Sequence, residues 1–231
     1  MTARHLTRVC VEAGARRTFA SALDWPGWSR SGRDEAQALE TLAAYAERYA
    51  PVTEEAGIEF SAKSAARFEV VERAPGNATT DFGAPAIVAE AERAPLDAKE
   101  AERLGALLVG CWAVLERVVR EAPAQLRKGP RGGGRDRDQV VEHVVAAELA
   151  YARKVGIRLG TDISATRAGI LGLLAGGATV DLGATVALGA EGGASGRRAG
   201  PSYPAKWPLR YAVRRLAWHV LDHAWEIEDK S

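Results

Sequence analysis

Two short stretches near the start of the chain alternate apolar and other side chains, and most of the remaining chain repeats its apolar positions at the helical period. In residues 6–13 and 16–23, Val9, Val11 and Phe19 alternate with other residues, and Ala13-Gly14-Ala15 joins the stretches, which predicts a β-hairpin. Asp24-Trp25-Pro26-Gly27-Trp28-Ser29 is turn chemistry, because proline fixes φ and glycine admits positive φ. Ala38, Leu42, Tyr45 and Tyr49 then recur near the helical spacing, predicting a helix capped by Ser31 or Asp34 and stopped by Pro51. Residues 66–73 read as another strand, with 57–62 as a further strand candidate. The predicted unit over residues 1–73 is a small α+β domain.

Residues 74–96 hold Pro75, Gly76, Asn77, Pro85 and Pro95 without a sustained period, the composition of a linker. From Asp97 onward the pattern is helical. Leu104, Leu108, Cys111, Leu115 and Val118 form one stripe in a helix ending near Leu126. A glycine-rich basic loop comes next, and Asp136 or Asp138 can cap a helix over roughly 138–157. A glycine-interrupted helical stretch covers about 163–190, with a Gly/Ser/Arg loop over 191–204. Pro208 suits the first turn of a last helix of about 20 residues. Four helices over 97–231 predict a bundle, so the expected fold class is α+β, a small α+β domain followed by a four-helix bundle.

Composition narrows the function classes. With 47% apolar and 26% charged residues the chain is expected to build a core, and a net charge of +1 gives no reason to expect nucleic acid or an anionic membrane as partner. The N-terminal residues lack the apolar segment of a signal peptide. The 13 uncharged residues between Arg167 and Asp181 include four glycines, too short and broken a run to span a bilayer. Cys10 and Cys111 are the two cysteines, no disulfide framework, and with these signs a reducing cytoplasm is the expected compartment.

Candidate chemistry concentrates on three of the four histidines. His219 and His223 are four residues apart, so on a helix they project from one face, one turn apart. They fall on or beside the stripe of Leu209, Val213, Leu216, Val220 and Ile227. His143, beside Val140 and Ala147, lies at the margin of its helix's apolar face. A buried imidazole left unsatisfied costs about 1–3 kcal/mol, so these rings need hydrogen-bond partners or a metal ion. Three neutral imidazoles leave a divalent ion with open positions, whereas structural zinc takes four protein ligands. The bland alternative is a histidine pair simply satisfied in the core. Glu142, Glu148, Asp222 and Glu226 flank the histidines and are candidates for orienting an imidazole or relaying a proton, though charged helix faces are commonly just solvated.

These residues carry a resemblance. A helix with His143-Val-Val-Ala-Ala-Glu148 and a final helix reading Trp218-His219-Val-Leu-Asp-His223-Ala-Trp-Glu226 resemble the DinB/YfiT-like superfamily over residues 97–231. That resemblance implies a four-helix bundle with a divalent metal on one histidine of the second helix and two of the fourth, here His143, His219 and His223. It further implies activity on a small-molecule substrate: transfer reactions with a low-molecular-weight thiol such as mycothiol or bacillithiol, a thiol-dependent isomerisation, or metal-dependent hydrolysis. The ergothioneine-forming branch carries HxxxHxE; the position two after His223 is Trp225, which disfavours that branch. Zinc, nickel and iron all suit three imidazoles.

The first 73 residues resemble the HicB-like antitoxin fold: a strand pair, then Trp25-Pro26-Gly27-Trp28-Ser29-Arg30-Ser31-Gly32-Arg33-Asp34-Glu35-Ala36, then a helix. The turn departs from the usual Pro-x-x-Pro-Gly, and no ribbon-helix-helix or helix-turn-helix segment comes after it. The unit therefore reads as a fused accessory or oligomerisation domain, with a homodimer as one expected assembly. The competing functional reading is a non-enzymatic, antitoxin-like module that engages a protein partner through Trp25 or Trp28, with the bundle as a structural element. Cys111, on a buried stripe, is expected to be an inert core thiol.

Overall fold

The computed structural model describes residues 6–129, 133–176 and 207–231. The hairpin forms as expected: β1 (Thr7–Ala13) pairs antiparallel with β2 (Thr18–Ala22), Val9 facing Ala22 and Val11 facing Ala20. Two further strands complete a sheet of order β3-β2-β1-β4. β3 (Ser29–Gly32) falls partly in the predicted turn; its sequence Ser-Arg-Ser-Gly has no apolar alternation to announce it. β4 (Phe68–Pro75) matches the strand expected at 66–73 and runs parallel to β1.

Asp34 is the cap of α1 (Glu35–Ala44), accepting from the Gln37 backbone N–H at 2.8 Å. The predicted single helix breaks at Tyr45, and α2 (Ala46–Glu55) runs straight through Pro51. Proline removes one intrahelical bond there, but Tyr49, Val52 and Thr53 on either side of it are buried, and their packing holds the backbone helical. The strand candidate at 57–62 is not a strand. Gly57, at φ +65°, turns the chain, and α3 (Ala62–Ala65) comes next.

Residues 74–96, read from sequence as a linker, carry α4 (Ala78–Phe82) and a 3-10 turn (Glu90–Arg93), with Thr80, Ala84, Ala89 and Glu92 buried. Buried Glu12 on β1 pins this segment by accepting from the backbone N–H groups of Ala86 and Ile87 at 2.9 and 3.0 Å. Composition shows where the chain is irregular; Glu12 on β1 and Arg210, Tyr211, Arg214 and Arg215 on the last helix, all distant in sequence, hold it docked.

Four helices form the second half: α5 (Ala98–Glu121), α6 (Arg137–Ala152), α7 (Ile163–Ala175) and α8 (Leu209–Lys230). α5 packs on α8 and α7, and α6 packs on the same two, closing a four-helix cycle. α7 covers the start of the helix expected over 163–190; the rest of that stretch and the 191–204 loop lie outside the described residues, as does His5. Asp136 precedes α6 and its N–H donates to the Gln139 side chain at 3.0 Å, while Gly156 at φ +91° ends the turn after α6.

The apolar core is continuous from the sheet into the helices. Val9, Val11, Ala20, Trp28, Leu42 and Tyr49 share one cluster with Leu104, Leu108, Cys111, Val213, Leu216 and Val220. The opposite sheet face meets α8: Phe19 packs edge-on against Trp218 with centroids 6.1 Å apart, and Ser21 accepts from Arg214 at 3.2 Å. α8 is thus enclosed along most of its length, which is why fourteen of its 22 residues are buried. Among the described residues no helix is long and apolar enough to cross a membrane.

Candidate metal centre

The contact between α6 and α8 carries the three histidines to one point. His143 on α6 faces His219 and His223 on α8, with ring centroids 5.0 and 4.9 Å away, and the two α8 rings lie 4.6 Å apart. One nitrogen from each ring can be chosen so that all three lie within 4.8 Å of one another. The i, i+4 spacing sets the α8 pair, and the packing of α6 on α8 supplies the third ring, the step that spacing alone could not provide.

His219 is 7% exposed, and its Nδ1 has no hydrogen-bond partner among the described residues. Such an orphaned polar atom costs about 1–3 kcal/mol in a closed core, a cost that ligation removes. Burial, reinforced by the neighbouring His223 and His143 rings and by Arg215 and Arg135, pulls the His219 pKa down to about 2. His143 is lowered too, first by burial and then by Arg135 and His223. Both rings are therefore neutral at physiological pH, the form that ligates metal ions.

His223 is oriented from outside the cluster. Its Nδ1–H donates to Glu226 Oε2 at 2.6 Å, and Lys230 donates to the other carboxylate oxygen. The hydrogen bond from His223 holds the Glu226 carboxyl down at about 2, so this acceptor is ionised and orients the ring with Nε2 turned away from it. Glu226 is a sequence candidate that the structure brings to the imidazoles.

The other three carboxylates are placed differently. Glu148 is fully buried and accepts from Trp112 Nε1 at 2.6 Å and from Arg167 at 2.8 Å, so it ties α6 to α5 and α7. Asp222 pairs with Arg30 of β3 at 2.8 Å, binding α8 to the sheet. Glu142 is exposed and makes no hydrogen bond to the three rings.

Comparison of the chain with protein-family models, curated proteins and solved structures gives no significant match. The chemistry of the site is thus carried by its own residues.

Two side chains outside the metal-ligand and acid–base candidates complete the seam. Tyr151 lies two turns beyond His143 on α6 and stands edge-on to His219, centroids 5.7 Å apart. Arg215 lies one turn before His219 on α8 and donates from Nη2 to the Tyr151 hydroxyl at 3.3 Å. The i, i+4, i+8 series Arg215, His219, His223 was the available sequence signal.

Of the two aromatic residues proposed as partner contacts, Trp28 is fully buried. It stacks on Tyr49 at 5.7 Å and donates from Nε1 to the Leu42 carbonyl at 2.8 Å, a core position with no face for a partner. Cys10 and Cys111 are free and buried; burial pushes the Cys10 thiol up to about 12 and raises Cys111 as well. Neither is a thiolate nucleophile at neutral pH.

Proposed function

We propose that His143, His219 and His223 hold a divalent metal ion and that the protein is a metal-dependent enzyme of the DinB/YfiT type acting on a small molecule. The observation that carries this reading is the convergence of three imidazoles around a buried, unpartnered His219 nitrogen. A divalent ion such as zinc, nickel or iron on three neutral imidazoles supplies Lewis acidity and keeps coordination positions open for a reactant.

The chain's residues prepare that site in three ways. Burial of His219 keeps its ring deprotonated, Glu226 fixes the orientation of His223, and the enclosed α8 keeps the cluster from spreading. With both cysteines buried and far from thiolate character, an attacking thiol has to arrive as a low-molecular-weight co-substrate rather than come from the protein. Thiol-dependent transfer with such a co-substrate and metal-dependent hydrolysis are the two reactions the site would support. Two free cysteines fit a cytoplasmic setting. The HicB-like N-terminal unit is assigned an accessory role, because its sheet and α2 are built into the same core as the bundle.

Zinc titration of metal-depleted protein tests the reading. A ligand that binds only the folded state stabilises it by about 2.7 kcal/mol at a hundredfold excess over its dissociation constant, so zinc is expected to raise the melting temperature of the parent and not of His219→Ala. Equal responses in the two proteins would sink the assignment.

A further inference from the structure

Among the described residues Arg215 is a buried cation without a counter-ion. It is 7% exposed; Nη1 donates to the Pro85 carbonyl at 3.0 Å and Nη2 to the Tyr151 hydroxyl at 3.3 Å, both neutral acceptors. Its guanidinium also lies over the rings of Trp218 and Tyr151, 4.7 and 5.4 Å from their centroids. A guanidinium has five N–H donors, and those left over have no partner among the described residues. Its chain neighbour Arg214 is the contrast: equally enclosed, it is matched by Glu92 at 2.5 and 2.9 Å. Burying a charge without an opposite charge is costly, so Arg214 shows how this helix ordinarily neutralises an arginine, and Arg215 is the exception.

The position of the exception is what gives it a role. Arg215, His219 and His223 occupy successive turns of one face of α8, and Tyr151 and His143 occupy the facing side of α6. Tyr151, His143 and His223 along this seam are each partly exposed. We propose that Arg215, with the Tyr151 hydroxyl beside it, is the specificity-determining anion receptor of the three-histidine site: the substrate carries a carboxylate or similar anionic group that docks on Arg215 while its reacting end lies at the histidines. The assignment rests on the metal-centre reading for the second contact, whereas the anion contact stands on Arg215 alone.

Two hydroxamates of matched length test it on the full chain loaded with zinc: butyrohydroxamate, with an uncharged tail, and succinic acid monohydroxamate, whose tail ends in a carboxylate. The parent is expected to bind the carboxylate-bearing probe about tenfold or more tightly than the neutral one, the size of a charge-assisted hydrogen bond. Arg215→Gln should lose that preference while keeping its zinc affinity and its affinity for butyrohydroxamate. Equal binding of both probes by the parent, or an unchanged preference in Arg215→Gln, overturns the proposal. If Arg215→Gln fails to fold, Arg215→Lys serves, expected to keep the charge preference in weakened form; a preference equal to the parent's counts against the guanidinium's role. If zinc does not bind, the metal reading fails, and the anion site is read separately from succinate titration of the metal-free protein: binding by the parent that Arg215→Gln lacks upholds it, and no binding removes it.

Discussion

Two glycines on one helix should respond in opposite senses to the same substitution. Gly110 of α5 faces α2 so closely that a Cβ built on it would stand 2.3 Å from the Val52 carbonyl oxygen and 3.2 Å from its carbonyl carbon. That oxygen accepts the Ala56 N–H, so it cannot swing aside without breaking a helix bond, and α2 has to retreat. Overpacking of this kind costs about 1–3 kcal/mol or more, against about 1 kcal/mol gained by replacing a helical glycine with alanine. Because the atom met is backbone, the cost lies in the upper part of that range, and Gly110→Ala is expected to lose about 1–2 kcal/mol net, or to melt roughly 2–8 °C lower in a chain of this size. Gly105, five residues earlier, is the control. Its added Cβ would meet Leu171 and Leu174 at 3.7 Å, ordinary contact distance, so Gly105→Ala should stabilise by about 0.5–1 kcal/mol. Urea unfolding midpoints of the parent and both variants decide the matter. Gly110→Ala as stable as Gly105→Ala would refute the close α2–α5 contact, and with it the continuous core.

Arg214→Met leaves Glu92 buried and uncompensated and should cost about 3–5 kcal/mol in urea unfolding, with Arg214→Met/Glu92→Met recovering most of the loss; a single-variant cost near zero counts against the buried pair. Asp81 accepts from the backbone N–H groups of Ala15, Arg16 and Arg17, and the Arg16 bond leads in lowering its pKa. A carboxyl lowered on folding contributes stability above its unfolded value of 3.8, and the contribution fades as pH falls through the folded value. Asp81→Asn should accordingly flatten the acid limb of the stability profile below about pH 4, and an unchanged limb would contradict the turn clamp. Neither cysteine of the folded protein should react with a thiol reagent at pH 8, and both should react once it is unfolded; rapid labelling in the native state would show that Cys10 or Cys111 is accessible.

Much of this architecture could be read from the pattern of apolar positions. The strand at Phe68–Pro75 alternates in burial with a period of two and α5 and α8 follow the helical period, whereas the hairpin strands are buried on both faces. The misreadings have physical causes. Pro51 looks like a stop because proline opposes a helix locally, yet the buried Tyr49 and Val52 outweigh it. The helical turns within residues 74–96 carry no sustained period, and the segment is docked by residues far away in sequence, Glu12 on one side and Arg214 and Arg215 on the other. At the site, the spacing of His219 and His223 and the candidate Glu226 were visible in sequence. The nearness of His143 did not follow from spacing; only the resemblance implied it, and the packing of α6 on α8 brings it about. Arg215 shares the i, i+4, i+8 series with His219 and His223, but that spacing does not show that it has no counter-ion among the described residues.

Elemental analysis of untagged protein, purified without chelator, is the most direct test of the three-histidine site. Stoichiometric zinc, nickel or iron in the parent, lost in His219→Ala while that variant stays folded by circular dichroism, is the predicted result. A folded parent that carries no stoichiometric metal and takes up none on addition would contradict it.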